Sequence, residues 1–285
     1  MFGFLNVCKP KGKTSHDVVA ILRRITKIKQ IGHTGTLDPF AEGVLPVCIG
    51  KATRLIEYLK DDKAYKGIVQ LGSSTTTYDI EGEEVNSSDK RVKISEIETA
   101  LKDFQGEIEQ VPPIYSALKV NGKKLYEYAR EGKEVEIKSR KVCISEIKLL
   151  NFDEEKMTTE LYIACSKGTY IRSIANDLGK KLGTYGHLIK LVRVQAGEFK
   201  IENSVKLEEL DSVEKINTQL INPLDYLDYP QLEISDIQAE RIKNGMTIDL
   251  EIQDTVPIFV FKYKNVICAV GGLKDGKFTP SKVFL

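Results

Sequence analysis

Gly32-His33-Thr34-Gly35-Thr36-Leu37-Asp38-Pro39-Phe40-Ala41-Glu42-Gly43 is the stretch on which the reading of this 285-residue chain turns. Its glycines and Pro39 are too closely spaced for regular structure. It runs straight into Val44-Leu45-Pro46-Val47-Cys48-Ile49, an apolar run that reads as a buried strand. Pro39 pushes Asp38 toward extended backbone. Loops braced by a rigid element are where catalytic groups gather, yet Asp-Pro is also a common turn starter. On local grounds Asp38 is either a catalytic carboxylate or the first residue of a structural turn.

Outward from this loop, residues 2–8 read as a short strand. Thr14-Ser15 caps a helix to about Lys29, with Val18, Leu22 and Ile25 on one face. A short helix is expected at 53–60, a strand at 64–71, and a polar, turn-rich segment at 73–84. Ser95-x-x-Glu98 reads as a capping box opening a helix to about Phe104. Residues 109–115, with Pro112-Pro113, are extended, and 123–131 form a short basic helix. Strands are expected at 135–150, 158–165 and 187–199, with a helix at 170–182 between the last two. The acidic stretch ends in Asp225-Tyr226-Leu227-Asp228-Tyr229-Pro230, which marks a boundary. Beyond it, a capped helix at 235–243 and β-type runs at 256–261, 266–270 and 277–283 make residues 230–285 a small β-rich module. Strands and helices mix without strict βαβ alternation, which favours an α+β fold.

Composition narrows the function classes. Hydrophobic residues are 41%, charged 29% and aromatic 8%, a globular balance that excludes a wholly disordered chain. The longest apolar stretches fall far short of a membrane helix, and the beginning of the chain lacks a secretory pattern, so the expected location is cytoplasmic. Cys8, Cys48, Cys143, Cys165 and Cys268 are scattered with no C-x-x-C pair, and His16, His33 and His187 form no ligand spacing with them. Neither a disulfide framework nor a metal site is expected. Phosphate-loop, dinucleotide and nucleophile-elbow motifs are all missing.

The net charge of +1 conceals a separation. Residues 9–30 hold seven basic side chains against Asp17 alone, and residues 119–141 hold eight against four glutamates. Residues 79–109 and 201–240 are acidic. Basic blocks of this kind are either a polyanion-binding face or solvated helix surfaces.

Five segments, in order, resemble the successive motifs of the TruB family of tRNA pseudouridine synthases: NVCKPKG (6–12), GHTGTLDPFAEGVL (32–45), KAYKG (63–67), QVPPIYSALKVNGKKLYEYAR (110–130) and CSKGTYIRS (165–173). The resemblance implies an α+β fold: a long mixed, mainly antiparallel sheet with a central cleft. It divides the chain into a catalytic domain at 1–229, with a mobile RNA-clamping insertion at 110–140, and a PUA-like RNA-binding module at 230–285. The short C-terminal part favours a stand-alone bacterial-type enzyme over guide-RNA-directed members.

Residue by residue, the resemblance makes Asp38 the nucleophile. A carboxylate is charged at neutral pH and needs no activating base. It could add at C6 of the base, attack C1′, or act as a base in an elimination. Arg172 is the implied partner, since a guanidinium grips a carboxylate through two hydrogen bonds. Tyr65 is implied to stack on the target base, and its hydroxyl to help remove the C5 proton. Tyr170 and Leu191 line the uracil pocket, and His33 holds the everted nucleotide. Lys9, Lys123 and Lys124 are expected to bind the substrate, the last two on phosphates. The implied substrate is the T-loop of tRNA, at the uridine of tRNA position 55, flipped out of its stack. No metal, organic cofactor, membrane or obligatory protein partner is implied, and the chain is expected to be a monomer. The competing readings are a guide-RNA-directed synthase subunit and a non-catalytic tRNA-binding or RNA-folding protein.

Overall fold

The computed structural model describes residues 1–250, 257–274 and 276–285; Val256, at the start of one expected strand, lies outside them. The larger part comprises strands β1 (Gly3–Lys9), β2 (Ile31–His33), β3 (Glu42–Ile49), β4 (Lys63–Leu71), β5 (Ser73–Thr75), β6 (Glu84–Ser87), β7 (Gly106–Gln110), β8 (Lys119–Val120), β9 (Lys123–Lys124), β10 (Arg140–Asp153), β11 (Thr158–Cys165), β12 (Gly186–Ala196), β13 (Phe199–Lys200) and β14 (Val205–Lys206). Its helices are α1 (Ser15–Thr26), α2 (Ile94–Leu101), α3 (Leu125–Arg130), α4 (Ile171–Leu182) and α5 (Val213–Thr218). One sheet runs in the order β14-β1-β3-β12-β4-β11-β10-β7, with β2 on β3 and β13 on β12. Among the described residues of this sheet, only β1–β14 and β3–β12 pair in parallel, so the fold is α+β around a mixed, mainly antiparallel sheet.

The central position of β3, β12 and β4 follows from composition. Seven of the eight residues of β3 are buried, as a strand covered on both faces requires. One core cluster packs α4 and α2 against β4 and β11, and another packs α1 against β1 and β3. Helix α1 begins where its capping residues put it. Thr14 Oγ1 accepts from the Asp17 amide at 3.0 Å, and Asp17 Oδ2 accepts from the Thr14 amide at 2.8 Å.

Three boundaries differ from the sequence reading. The capping box sits two residues earlier: the Lys93 amide donates to Glu96 Oε2 at 2.8 Å, so Ser95 lies inside α2 and not at its cap. The short helix expected at 53–60 begins earlier, as a 3₁₀ helix over Gly50–Tyr58. Residues 135–139 are not strand, because β7 ends at Gln110, whose partner is Arg140, and nothing remains for them to pair with.

Residues from Gln231 build a second sheet from β15 (Gln231–Glu233), β16 (Ile248–Asp249), β17 (Phe259–Tyr263), β18 (Val266–Lys274) and β19 (Lys277–Val283), in the order β15-β17-β18-β19-β16. Helix α6 (Asp236–Lys243), capped by Ser235, packs on it. This unit is docked on the large sheet: Val260, Ile267, Val270 and Phe284 share a core cluster with Phe4, Val44 and Leu55.

Candidate active site

The loop between β2 and β3 carries Asp38, and the chain fixes it from three sides. Ser15, the first residue of α1, accepts from the Leu37 amide at 2.9 Å. The Gly12 amide donates to Pro39 O at 2.8 Å. From β12, Arg193 sends its guanidinium under the loop, donating to Val44 O (2.7 Å), Gly35 O (3.0 Å) and Thr36 O (3.4 Å). Arg193 is wholly buried. Its backbone lies opposite Gly43 on one side and Tyr65 on the other. At Gly43 the backbone has φ +102°, and a Cβ there would stand 2.3 Å from Arg193 O, so glycine is required.

Lys9 is a correction. The sequence reading expects it to bind the substrate, but it has no exposed surface. Its Nζ donates to Lys13 O (2.5 Å), Pro10 O (3.0 Å) and Pro39 O (3.2 Å). At the end of β1 it points inward opposite Gly43, where loop carbonyls need a donor and no phosphate can reach. Burial pushes its ammonium down to about 8, with Asp38 and Glu42 opposing.

Asp38 meets Arg172 in a two-point grip: Nε to Oδ2 at 2.9 Å and Nη2 to Oδ1 at 3.0 Å. Arg172 is buried in the first turn of α4, while the Asp38 side chain keeps 32% of its surface open. Two further guanidinium hydrogens go to Thr77 O (3.1 Å) and Tyr115 O (3.0 Å). A second carboxylate, Asp79, approaches Arg172 Nε at 3.4 Å. Burial pushes its carboxyl up, while Thr77 and Arg172 oppose the shift. Arg172 is thus a buried cation with four hydrogen bonds, set between two carboxylates, which offsets the cost of burying it.

Asp38 opens onto a cavity of about 520 Å³ that also contains Tyr65, Tyr170, Leu191, Arg172 and Lys63 on its walls. Tyr65, on β4, is almost completely buried, and burial raises its hydroxyl pKa, with Arg193 acting the other way. Tyr170 is locked at the entrance to α4 by Gln110: its amide donates to Gln110 Oε1 (2.7 Å) and its carbonyl accepts from Gln110 Nε2 (3.1 Å). The Arg140 guanidinium lies 4.9 Å over its ring. Aromatic Tyr65 and apolar Leu191 and Ile171, with one gripped carboxylate, suit a flat polar ring brought to a charged attacking group.

The other expected residues lie apart from this group. His33 ends β2 and does not line the cavity. Its Nδ1 is buried without a partner among the described residues, and burial pushes its pKa down, with Arg193 repelling a second charge. Lys123 is engaged by Glu131 and lies 5.0 Å over the Tyr128 ring, so its charge is already paired. Lys124 lies 5.4 Å over the ring of Tyr126, which does line the cavity.

Asp79 and Arg193 escaped the sequence reading. Asp79 sits in a polar turn, and its partner is remote in the chain, so nothing local marks it. Arg193 did leave a signal. In a strand, residues two apart share a face, so an inward Leu191 places Arg193 inward too, and a buried arginine must hold something.

The chain matches the model of the TruB family pseudouridylate synthase N-terminal domain over residues 23–171. The tRNA pseudouridylate synthase B C-terminal domain matches residues 172–227. The tRNA pseudouridine synthase B of Bacillus anthracis is 44% identical over 281 residues, covering 94% of this chain and 91% of that protein. That of Trichormus variabilis is 42% identical over 289 residues, covering 100% and 99%. A crystal structure of a Cbf5-Nop10-Gar1 complex aligns with a TM-score of 0.74 at 25% identity, covering all of this chain and 85% of the matched one. This chain belongs to the TruB family of pseudouridine synthases, and its activity is that of an isomerase.

Proposed function

We propose that the chain is a tRNA pseudouridine synthase that converts the uridine at tRNA position 55, in the T-loop, to pseudouridine. The observation that carries the reading is the Asp38–Arg172 pair at the wall of a cavity shared with Tyr65. The base leaves its stack at a cost of roughly a few kcal/mol, and stacking on Tyr65 returns about 1–3 kcal/mol. Asp38 then assists cleavage of the C1′–N1 bond. The base turns, C1′ joins C5, and the C5 hydrogen leaves as a proton, with the Tyr65 hydroxyl relaying it by giving up its own proton as it takes one, while N1 regains one. The reaction is redox-neutral and a carboxylate nucleophile needs no activating base, so the chemistry calls for neither metal nor cofactor.

Residues 1–229 form the catalytic domain in this reading. The 110–140 segment is the part that closes over RNA, and residues 230–285 are an RNA-binding module. His33 steadies the displaced nucleotide, and Lys124 reaches phosphate. The protein works in the cytoplasm as a monomer, with no obligatory protein partner and no membrane contact. The likeness to Cbf5 favours a second reading, a subunit that needs partners.

One experiment separates them: purified protein with unmodified tRNA, nothing else added, followed by mapping of pseudouridine. Product at position 55 supports the first reading. Product only after partners are added supports the second. Asp38→Asn is expected to bind tRNA and make no product, and full turnover by that variant removes Asp38 from its role.

A further inference from the structure

Arg140 stands at the foot of the 110–140 insertion. It is the first residue of β10, and its backbone pairs with Gln110, the last residue of β7. Residues paired across neighbouring strands send their side chains to one face, and here both reach Tyr170. Gln110 is almost wholly buried and holds the Tyr170 main chain: the Tyr170 amide donates to Gln110 Oε1 (2.7 Å), and Gln110 Nε2 donates to the Tyr170 carbonyl (3.1 Å). With the main chain pinned, the ring can move only about its two side-chain torsions. Arg140 meets that remaining freedom. Its guanidinium lies 4.9 Å over the ring, and its Nη2 donates to Gly168 O.

The strand alternation turns Arg140 inward. On either side of it, Ser139 and Lys141 bond to Glu109 and Glu107 on the exposed face. Arg140 Nε is buried and has no hydrogen-bond partner among the described residues. Tyr170 and Gly168 line the Asp38 cavity, whereas Arg140 does not. The guanidinium therefore backs the wall from outside and joins two of its pieces, the turn at 166–169 and the ring. A guanidinium is suited to this because its plane stacks on an aromatic face while its fork donates to a carbonyl. An ammonium has the charge but neither the plane nor the fork.

We propose that Arg140 is a positioning residue: it holds the Tyr170 ring in the orientation that receives the uracil, and it acts through that ring instead of touching the base or the RNA phosphates. This rests on the functional reading above and extends it to a residue outside the cavity. It also sets Arg140 apart from the other basic side chains of the insertion, since its guanidinium is committed to the wall before any RNA arrives.

The test uses the full chain and unmodified tRNA, with enzyme in saturating excess so that single-turnover rates do not depend on any inactive fraction. Arg140→Met keeps the length of the side chain and removes its plane and charge. It is expected to lower the single-turnover rate about tenfold, within what a small misplacement at a reacting site costs, with tRNA affinity within about twofold of wild type and its salt dependence unchanged. Arg140→Lys, which restores the charge alone, is expected to be as slow as Arg140→Met. In a Tyr170→Leu background, itself slow, Arg140→Met is expected to cost less than about twofold more, as for two residues acting as one unit. An undiminished rate, or a full tenfold loss in the Tyr170→Leu background, overturns the assignment. So does a weaker affinity with a flatter salt slope, or rescue by lysine, either of which would put Arg140 on phosphate. These outcomes leave the functional reading intact. A wild type that makes no pseudouridine overturns the functional reading, and this assignment with it.

Discussion

Asp79 Oδ2 lies 3.4 Å from the Arg172 Nε that also donates to Asp38 at 2.9 Å, so two carboxylates share one guanidinium edge. They are not equivalent. Asp38 faces the cavity, whereas Asp79 is buried and spends Oδ1 on Thr77 Oγ1 (2.6 Å) and the Glu81 amide (3.0 Å). Asp79 therefore acts on the arginine, and through it on the aim of Asp38. Asp79→Asn keeps the volume and removes the charge. A fall in single-turnover rate of about 10- to 100-fold is expected, as for a small misplacement of a reacting group, with tRNA affinity within about twofold of wild type. Equal loss of affinity and rate would instead place Asp79 on the RNA.

Tyr65→Phe separates the two duties given to that ring. Stacking survives and the hydroxyl goes. Binding is expected to hold while the chemical step drops about 100-fold or more, in the range of a lost acid–base group. Tyr65→Leu, which also loses the stacking face, is expected to weaken binding as well. A Phe variant turning over at the wild-type rate would confine Tyr65 to stacking.

Lys9 carries a pH signature. Burial holds its folded-state pKa at about 8, against 10.5 for the free side chain. Between these values the unfolded chain binds more protons than the folded one, so this group makes stability rise with pH through that window. Urea midpoints of wild type relative to Lys9→Met are expected to shift in favour of wild type from pH 8 to pH 10. A difference that stays flat over that range would show an ammonium with an ordinary pKa.

The two insertion lysines are expected to behave differently. Lys123 is paired with Glu131, whereas Lys124 rests on a ring of the cavity wall. Lys124→Ala is expected to weaken tRNA binding and flatten its salt dependence by up to about 0.9 in slope, and Lys123→Ala to change it less. Identical slopes for both variants would mean that Glu131 releases its lysine when RNA arrives.

Much of this was legible in the chain because it was local. Thr14 and Asp17 announce α1, the apolar run after Gly43 announces β3, and the spacing of Ile171, Ile174, Leu178 and Leu182 announces α4. Asp38 and Arg172 became a pair only through the resemblance, since no spacing rule links residues brought together by β3, β12 and α4. Lys9 was misjudged because a lysine near other basic residues looks solvated, and only the register opposite Gly43 shows that it points inward. Asp79 was illegible because its burial is decided by a helix from much later in the chain.

The crossing of Gly43 over Arg193 O also sets limits for anyone wishing to re-tailor this pocket. The two loop glycines that flank the acid differ in what they allow. A methyl group at 35 would press on the movable Lys63 side chain, 3.2 Å away, and reach Arg193 Nη1 at an ordinary 3.7 Å, whereas one at 43 would strike fixed main chain. A randomised library should hold 43 invariant and open 35, together with the wall positions Leu37 and Leu191. Diversity spent at 43 would yield only misfolded clones.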